Sequence, residues 1–546
     1  MHDRLSGVEM QFITPRAHTV SVQARADEKR PRFFACMALA SLLIAFAGFA
    51  SAAPNSGNSA NPGNSVNSSH SNNAAEQAWQ KGAIGHAQQM RRFPDAERGA
   101  QPTPPVIPQF EADFDPSGMI ATDQPNGATS TSANAFFGDL GTNDRTCMTC
   151  HQPQNGWSVS AAGVQARFYT SFGADPIFRL VDGATCPSDN VSSLDDKFQA
   201  YSLLLSKGLL RIGLPMPANA QFQIVSADDP YNCNTNATTG LTSPTSGIVS
   251  VYRRPLPSTN LNFLSAIMWD GREPSLQSQA TDATLGHAQA NATPSASQVQ
   301  QIVQFETGLF TAQVFDTKAK DLDQKGAEGG PTTLSKQLAS FFVGINDPFG
   351  QNPKGTTFTS NIFGLFGAWA DLRGNGGVPA ARQSIARGEA IFNRTPINIA
   401  GVTGINDALQ QPNVSGFCGT CHDTPNVGNH SVKAPLNIGV SNAGSDAPPA
   451  LDIAALPVFT LLCVAGPLSG QTFTVTDPGR ALISGNCADI GKMKGPILRG
   501  LAGRAPYFHN GSAATLLDVV NFYDQRFSIG FSDQDKRDLA AFLESL

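Results

Sequence analysis

Two short stretches, "CMTCH" at residues 147–151 and "CGTCH" at 418–422, restrict what this chain can become more than any other part of it. Each has the C-x-x-C-H pattern, which reads as a covalent attachment site for a c-type haem. The spacing has a mechanical reason. Two thioether bonds, from Cys147 and Cys150 or from Cys418 and Cys421, fix one edge of the porphyrin, and the adjacent His151 or His422 then reaches the iron as its proximal ligand. A zinc site or a thioredoxin-like redox pair would leave the final His incidental, and its occurrence twice argues against both. The expected cofactors are two covalently bound haems c.

The N-terminus reads as an export signal. "KRPRFF" supplies a positive start, "ACMALASLLIAFAGF" an apolar run and "ASAA" a small-residue cleavage site. Residues 1–53 are therefore expected to be a signal peptide and the mature chain periplasmic. The apolar run is short for crossing hydrocarbon, so no stable membrane span is expected after cleavage. Residues 54–100, rich in Asn, Ser and Gly, have almost nothing to bury and read as a flexible tether. Outside the signal and the two motifs stand Cys186, Cys233, Cys463 and Cys487. In an oxidising compartment, nearest-neighbour bridges Cys186–Cys233 and Cys463–Cys487 are the most economical of the three pairings. A formal charge of −6 with no basic stripe excludes nucleic acid as a partner.

The expected fold class is mainly α: two cytochrome c-like haem domains, at 101–380 and 381–546, with irregular loop-rich insertions. The 51 glycines and 37 prolines imply long irregular connections. "SASQVQQIVQFETGLFTAQVF", "SKQLASFFVGI" and "PAARQSIARGEAIF" carry apolar residues at three-to-four spacing, which predicts helices. Ser532 and Asp535 have the spacing of a capping box that opens a C-terminal helix. About residues 160–250, polar and broken by Gly and Pro, read as an irregular insertion stapled by Cys186 and Cys233.

What a bound haem does depends largely on its sixth coordination position. No His occurs between His151 and His287, and Met148 lies inside the attachment loop, so the first iron is expected to be open. An open position permits chemistry, whereas two strong ligands favour pure electron transfer. "AIMWDGREPSLQSQA" (266–280), "ARGEAIFN" (386–393) and "KGPILRGLAGRAPYFHNGSAATLLDVV" (494–520) together resemble the bacterial di-haem cytochrome c peroxidase and MauG superfamily. The resemblance implies that Trp269 stands between the two haems as a relay and that Gln279 lies in the distal pocket of the first. The family's distal glutamate falls at Gln289 and its pocket proline at Ala283. Splitting peroxide needs a group that takes a proton and gives it back, which Gln289 cannot do. His287, two residues earlier, has an ordinary pKa near 6.5 and is the alternative. The family's calcium site would place Arg254 and Arg504 beside a hard cation that needs oxygen ligands, so calcium is not assigned.

Reductively activated members of the family carry a methionine fourteen positions after the histidine of "PYFHNG", here His509. In this chain that place is Tyr523, as in the MauG-like members, with Met493 and His430 as rival ligands. A phenolate stabilises higher oxidation states of iron better than a neutral thioether does. The resemblance therefore implies a peroxidase that activates hydrogen peroxide at an open first haem and shares oxidising equivalents with a His422/Tyr523-ligated second haem. Its reductant would be a periplasmic electron donor or a protein substrate. A di-haem electron-transfer cytochrome, or an oxygenase acting on an organic substrate like the related rubber oxygenases, are the alternatives.

Overall fold

Each C-x-x-C-H motif closes one tight 3-10 turn, Cys147–Thr149 and Cys418–Thr420. The same residue locks both turns. The Thr149 hydroxyl accepts from the Thr146 N–H at 3.0 Å, and that of Thr420 from the Phe417 N–H at 2.9 Å. Around these turns the computed structural model describes residues 103–234 and 247–546; the expected signal peptide and tether lie outside the described residues.

The first turn sits on an aromatic core. Trp157 and Phe136 are fully buried, and the Trp157 ring meets Phe305 edge-on at 5.3 Å. The indole N–H of Trp157 donates to the Thr122 hydroxyl at 2.8 Å, so its one polar atom is satisfied. Four helices frame this half. They are α1 (Ala161–Ser171), a two-step helix within 194–207, α2 (Leu276–Gly286) and α3 (Ala296–Gly308). Ser295 opens α3 through a reciprocal capping box with Gln298.

The second turn is carried by three helices: α4 (Gly377–Arg394), α5 (Leu516–Phe527) and α6 (Asp533–Glu544). The predicted Ser532/Asp535 capping box opens α6, and Thr515 with Asp518 opens α5 in the same way. α4 and α6 cross at Gly388, where a Cβ would lie 2.0 Å from the Asp538 carbonyl oxygen and 2.6 Å from Phe542 Cβ. Only a glycine allows this approach, and it brings Phe392 and Phe542 together beneath the haem motif.

The expectation of a mainly α chain needs correction. The structure is 31% helix and 17% strand, and five small sheets occur among the described residues. Only the first part of "SASQVQQIVQFETGLFTAQVF" is helical; Phe310–Asp316 is a strand between Gly118–Asp123 and Lys320–Asp321 in a four-stranded sheet completed by Phe110–Asp115. A short apolar run buried on both faces reads equally well with either period. In "SKQLASFFVGI" the helix Pro331–Gln337 stops after its third residue.

The stretch around 160–250 is likewise not irregular. Leu210–Pro215 pairs antiparallel with Ile248–Arg253, and Phe222–Asp228 joins Val458–Cys463 and Thr472–Val475 in a three-stranded sheet. Phe222 and Ile224 alternate with exposed neighbours and pack on Phe459 and Leu461, a period-two pattern hidden by surrounding Gly and Pro. Both expected disulfides are present: Cys186–Cys233 at one end of this region, and Cys463–Cys487 beside the three-stranded sheet. Among the described residues, no helix is long and apolar enough to cross a membrane.

Candidate functional site

Two apolar cavities, of about 160 and about 210 Å³, open over the two attachment turns. Cys147, Cys150 and His151 line the first; Cys418, Cys421 and His422 line the second. All four thiols are free. Burial pushes them up, Cys418 and Cys421 to about 12, as expected for sulfur facing hydrocarbon. The two imidazoles are held alike. His151 Nδ1 lies 2.8 Å from the Trp157 carbonyl oxygen and His422 Nδ1 2.7 Å from that of Gly428. A ring that donates from Nδ1 keeps a bare Nε2, the form a metal needs. Burial lowers both histidines, His151 to about 4, and so favours that neutral state. Paired thiols, a fixed neutral imidazole and an apolar cavity fit a covalent haem at each turn.

Trp269 lines both cavities. Its indole N–H donates to the Arg254 carbonyl at 2.8 Å, and its ring meets that of His509 edge-on at 6.1 Å. The backbone around it is tied down from both halves. Lys494 N–H donates to the Trp269 carbonyl, Arg480 to that of Asp270, and buried Arg253 pairs with both Asp270 and Asp477.

Gln279 and Ala283, one turn apart on α2, line the first cavity, and so does His287 at the C-cap of that helix. His287 Nδ1 lies 2.5 Å from Asp182, whose other oxygen takes Arg145 at 2.6 Å. Burial alone would raise the Asp182 carboxyl, but Arg145 and His287 outweigh it and hold it below the usual range. Gln289 is not brought to this wall. Its side-chain oxygen accepts from Asn143 at 3.2 Å, and its backbone oxygen from Thr142.

Asp182 and Arg145 had no recognisable signal in the sequence. Met268 also lines the first cavity, so a second ligand-type side chain shares the wall with His287, which the sequence places there for proton handling. Glu306 lines it too; burial raises this carboxyl to about 7, and its Oε1 accepts from Ser258 at 2.8 Å.

In the second cavity, Leu516, Val519, Val520, Tyr523 and Phe527 form one face of α5. Burial pushes the Tyr523 phenol well above its ordinary range, with Cys421 and Cys418 adding to the effect. Met493 also lines this cavity, whereas His430 does not. Lys494 on the same wall is pushed down to about 7 by burial, with Arg504 nearby. Guanidinium groups take up backbone oxygens where the family's calcium site would fall. Arg254 donates to the carbonyls of Lys207, Val159 and Arg504, and Arg504 to those of Gly500, Ile497 and Arg499.

Among curated proteins, a cytochrome-c peroxidase of Denitromonas iodatirespirans is 44% identical over 78 residues, 13% of this chain and 21% of its own length. Cytochrome c551 peroxidase of Nitrosomonas europaea is 25% identical over 248 residues, 44% of this chain and 63% of its own. The chain is thus similar to di-haem cytochrome c peroxidases over part of its length. It spans between a fifth and two thirds of the length of these relatives. No family model matches the chain. A solved structure described as a MauG-like protein associated with microbial copper homeostasis aligns over 82% of this chain and 94% of its own, at 13% identity and a TM-score of 0.33.

Proposed function

We propose that this chain is an exported di-haem c oxidoreductase of the MauG-like peroxidase type. A haem held by Cys147, Cys150 and His151 would supply the iron chemistry for hydrogen peroxide, and one held by Cys418, Cys421, His422 and Tyr523 would share the oxidising equivalents. The observation that carries this reading is Trp269, one indole forming a wall of both haem-type cavities. A bound haem c supplies iron chemistry that can take up and pass on oxidising equivalents. The chain's own residues supply the proton handling. With Nδ1 held by Asp182, His287 keeps Nε2 free to take a proton from one peroxide oxygen and return it to the other. Gln279 can orient peroxide by hydrogen bonds, while Gln289, already bonded to Asn143, supports the loop instead. Tyr523 offers a phenol that burial keeps neutral until a cation takes the oxygen. Electrons would come from a periplasmic donor or from residues of a protein substrate.

A second reading, a di-haem electron-transfer cytochrome, is favoured by Met268 and His287 on the first cavity wall, since either side chain is of a type that ligates iron. One experiment separates the two. The purified diferric protein is mixed with hydrogen peroxide and followed by absorption and EPR. The peroxidase reading expects a high-spin N-terminal signal at rest and loss of both ferric signals on mixing. A low-spin N-terminal signal that peroxide leaves unchanged would establish the electron carrier. In Trp269→Phe only the N-terminal signal should respond promptly; undiminished loss of both would remove Trp269 from the path.

A further inference from the structure

The loop that follows the second attachment motif gathers a set of buried polar groups that neither haem site uses. Asp347, Asp423 and His430 are all buried, and one ligand atom from each lies within 4.8 Å of the others. The unpaired atoms are specific. Asp347 Oδ2 accepts from the N–H groups of Phe349 and Gln351, and Asp423 Oδ1 from that of Ser431, which leaves Asp347 Oδ1 and Asp423 Oδ2 without hydrogen bonds. Both ring nitrogens of His430 also lack a hydrogen bond; Nδ1 stands 3.1 Å from Asp423 Oδ2 without aligning to it. With Thr424 Oγ1, Asn429 Oδ1 and Ser431 Oγ, the cluster holds seven of the fourteen such buried side-chain atoms among the described residues.

Two carboxylates with almost no exposure, and no lysine or arginine paired to either among the described residues, need a compensating positive charge. A protonated His430 supplies one charge for two. A divalent cation supplies both and also takes up the unpaired atoms. Imidazole together with carboxylate oxygen suits zinc better than calcium or magnesium, which prefer all-oxygen cages. The scaffold is firm enough to hold an ion. Thr424 N–H donates to the Asn429 carbonyl, Gly344 N–H to that of Ser431, and Asn346 to that of Asp423.

We propose that Asp347, Asp423 and His430 form a structural site for a divalent transition cation, zinc in preference, that fixes the loop carrying His422.

The test uses the di-haem protein matured in zinc-supplemented medium, desalted, with zinc and iron counted by mass spectrometry. About one zinc per two irons is expected. Asp347→Asn and His430→Gln, which keep size and haem absorbance, should lower zinc at least tenfold. A wild-type protein without zinc after growth and incubation in excess zinc chloride would overturn the site, as would zinc that persists in both variants. If a variant fails to mature, chelation of the wild type decides: thermal stability should fall with EDTA and return with zinc but not with calcium. Indifference to both would overturn the proposal.

Discussion

Replacing Asp182 by Asn tests the proton-handling arrangement most directly. Arg145 only donates, and its Nη1 sits 2.6 Å from Asp182 Oδ1, so in the variant the amide oxygen must face Arg145. The amide NH2 then faces His287 Nδ1, at the position now occupied by Oδ2 at 2.5 Å. That nitrogen becomes an acceptor, and the ring hydrogen moves to Nε2. A base for peroxide is thereby turned into a donor without loss of volume. Loss of a general base costs about 10²–10⁴ in rate, and removing the charge opposite buried Arg145 costs about 3 kcal/mol, because one acceptor is kept. Stopped-flow mixing with peroxide measures the first effect and guanidinium denaturation the second. His287→Ala should be as slow as Asp182→Asn, and the double variant no slower than either, because the two act as one unit. An Asp182→Asn protein with intact haem absorbance that reacts within about twofold of the wild type would refute the reasoning.

Tyr523→Phe should change the absorption and EPR of the C-terminal haem only; an unaltered spectrum would return the ligand to Met493. Gly388→Ala forces a Cβ to within 2.0 Å of the Asp538 carbonyl oxygen and should destabilise the α4–α6 crossing by about 1–3 kcal/mol in denaturant titrations. Glu306 binds its proton more tightly folded, at about 7, than unfolded, so its contribution is fully present below about pH 4.5 and is lost as pH rises to 7. The loss is on the order of 3 kcal/mol, and Glu306→Gln should flatten that part of the stability profile. Asp182 and Asp270 are shifted the other way. Their contribution is present above about pH 3.8 and disappears as pH falls below it, which acid titration of the wild type should show as a sharp loss.

The features legible in the sequence were those encoded within a few residues. Both C-x-x-C-H turns, the cap of α6 and the α4 pattern depend on local spacing, and the two disulfides joined cysteines near in sequence. What escaped notice depends on distance. Asp182 meets His287 across 105 positions, from a stretch whose polar, Gly-broken text gives no period. The strand Phe222–Asp228 finds its partner in the other half of the chain. Met268, next to Trp269, carries no spacing signal of its own, and only the cavity wall shows that both face the same space. His430, weighed as a haem ligand because histidines are scarce, lies off the haem cavity beside two carboxylates.

The sheet that joins the halves also orders events in time. Asp228 has its partner only when Val458 has been made, 230 positions later. A chain emerging from its N-terminus therefore carries an unpaired strand edge while the next 230 residues are made. Non-local pairing of this kind is slow, and exposed edges invite the wrong neighbours. This three-stranded sheet cannot be completed until the second attachment motif, at 418–422, has already been made. A copy cut short between residues 423 and 457 should keep both attachment motifs intact and still be prone to aggregate.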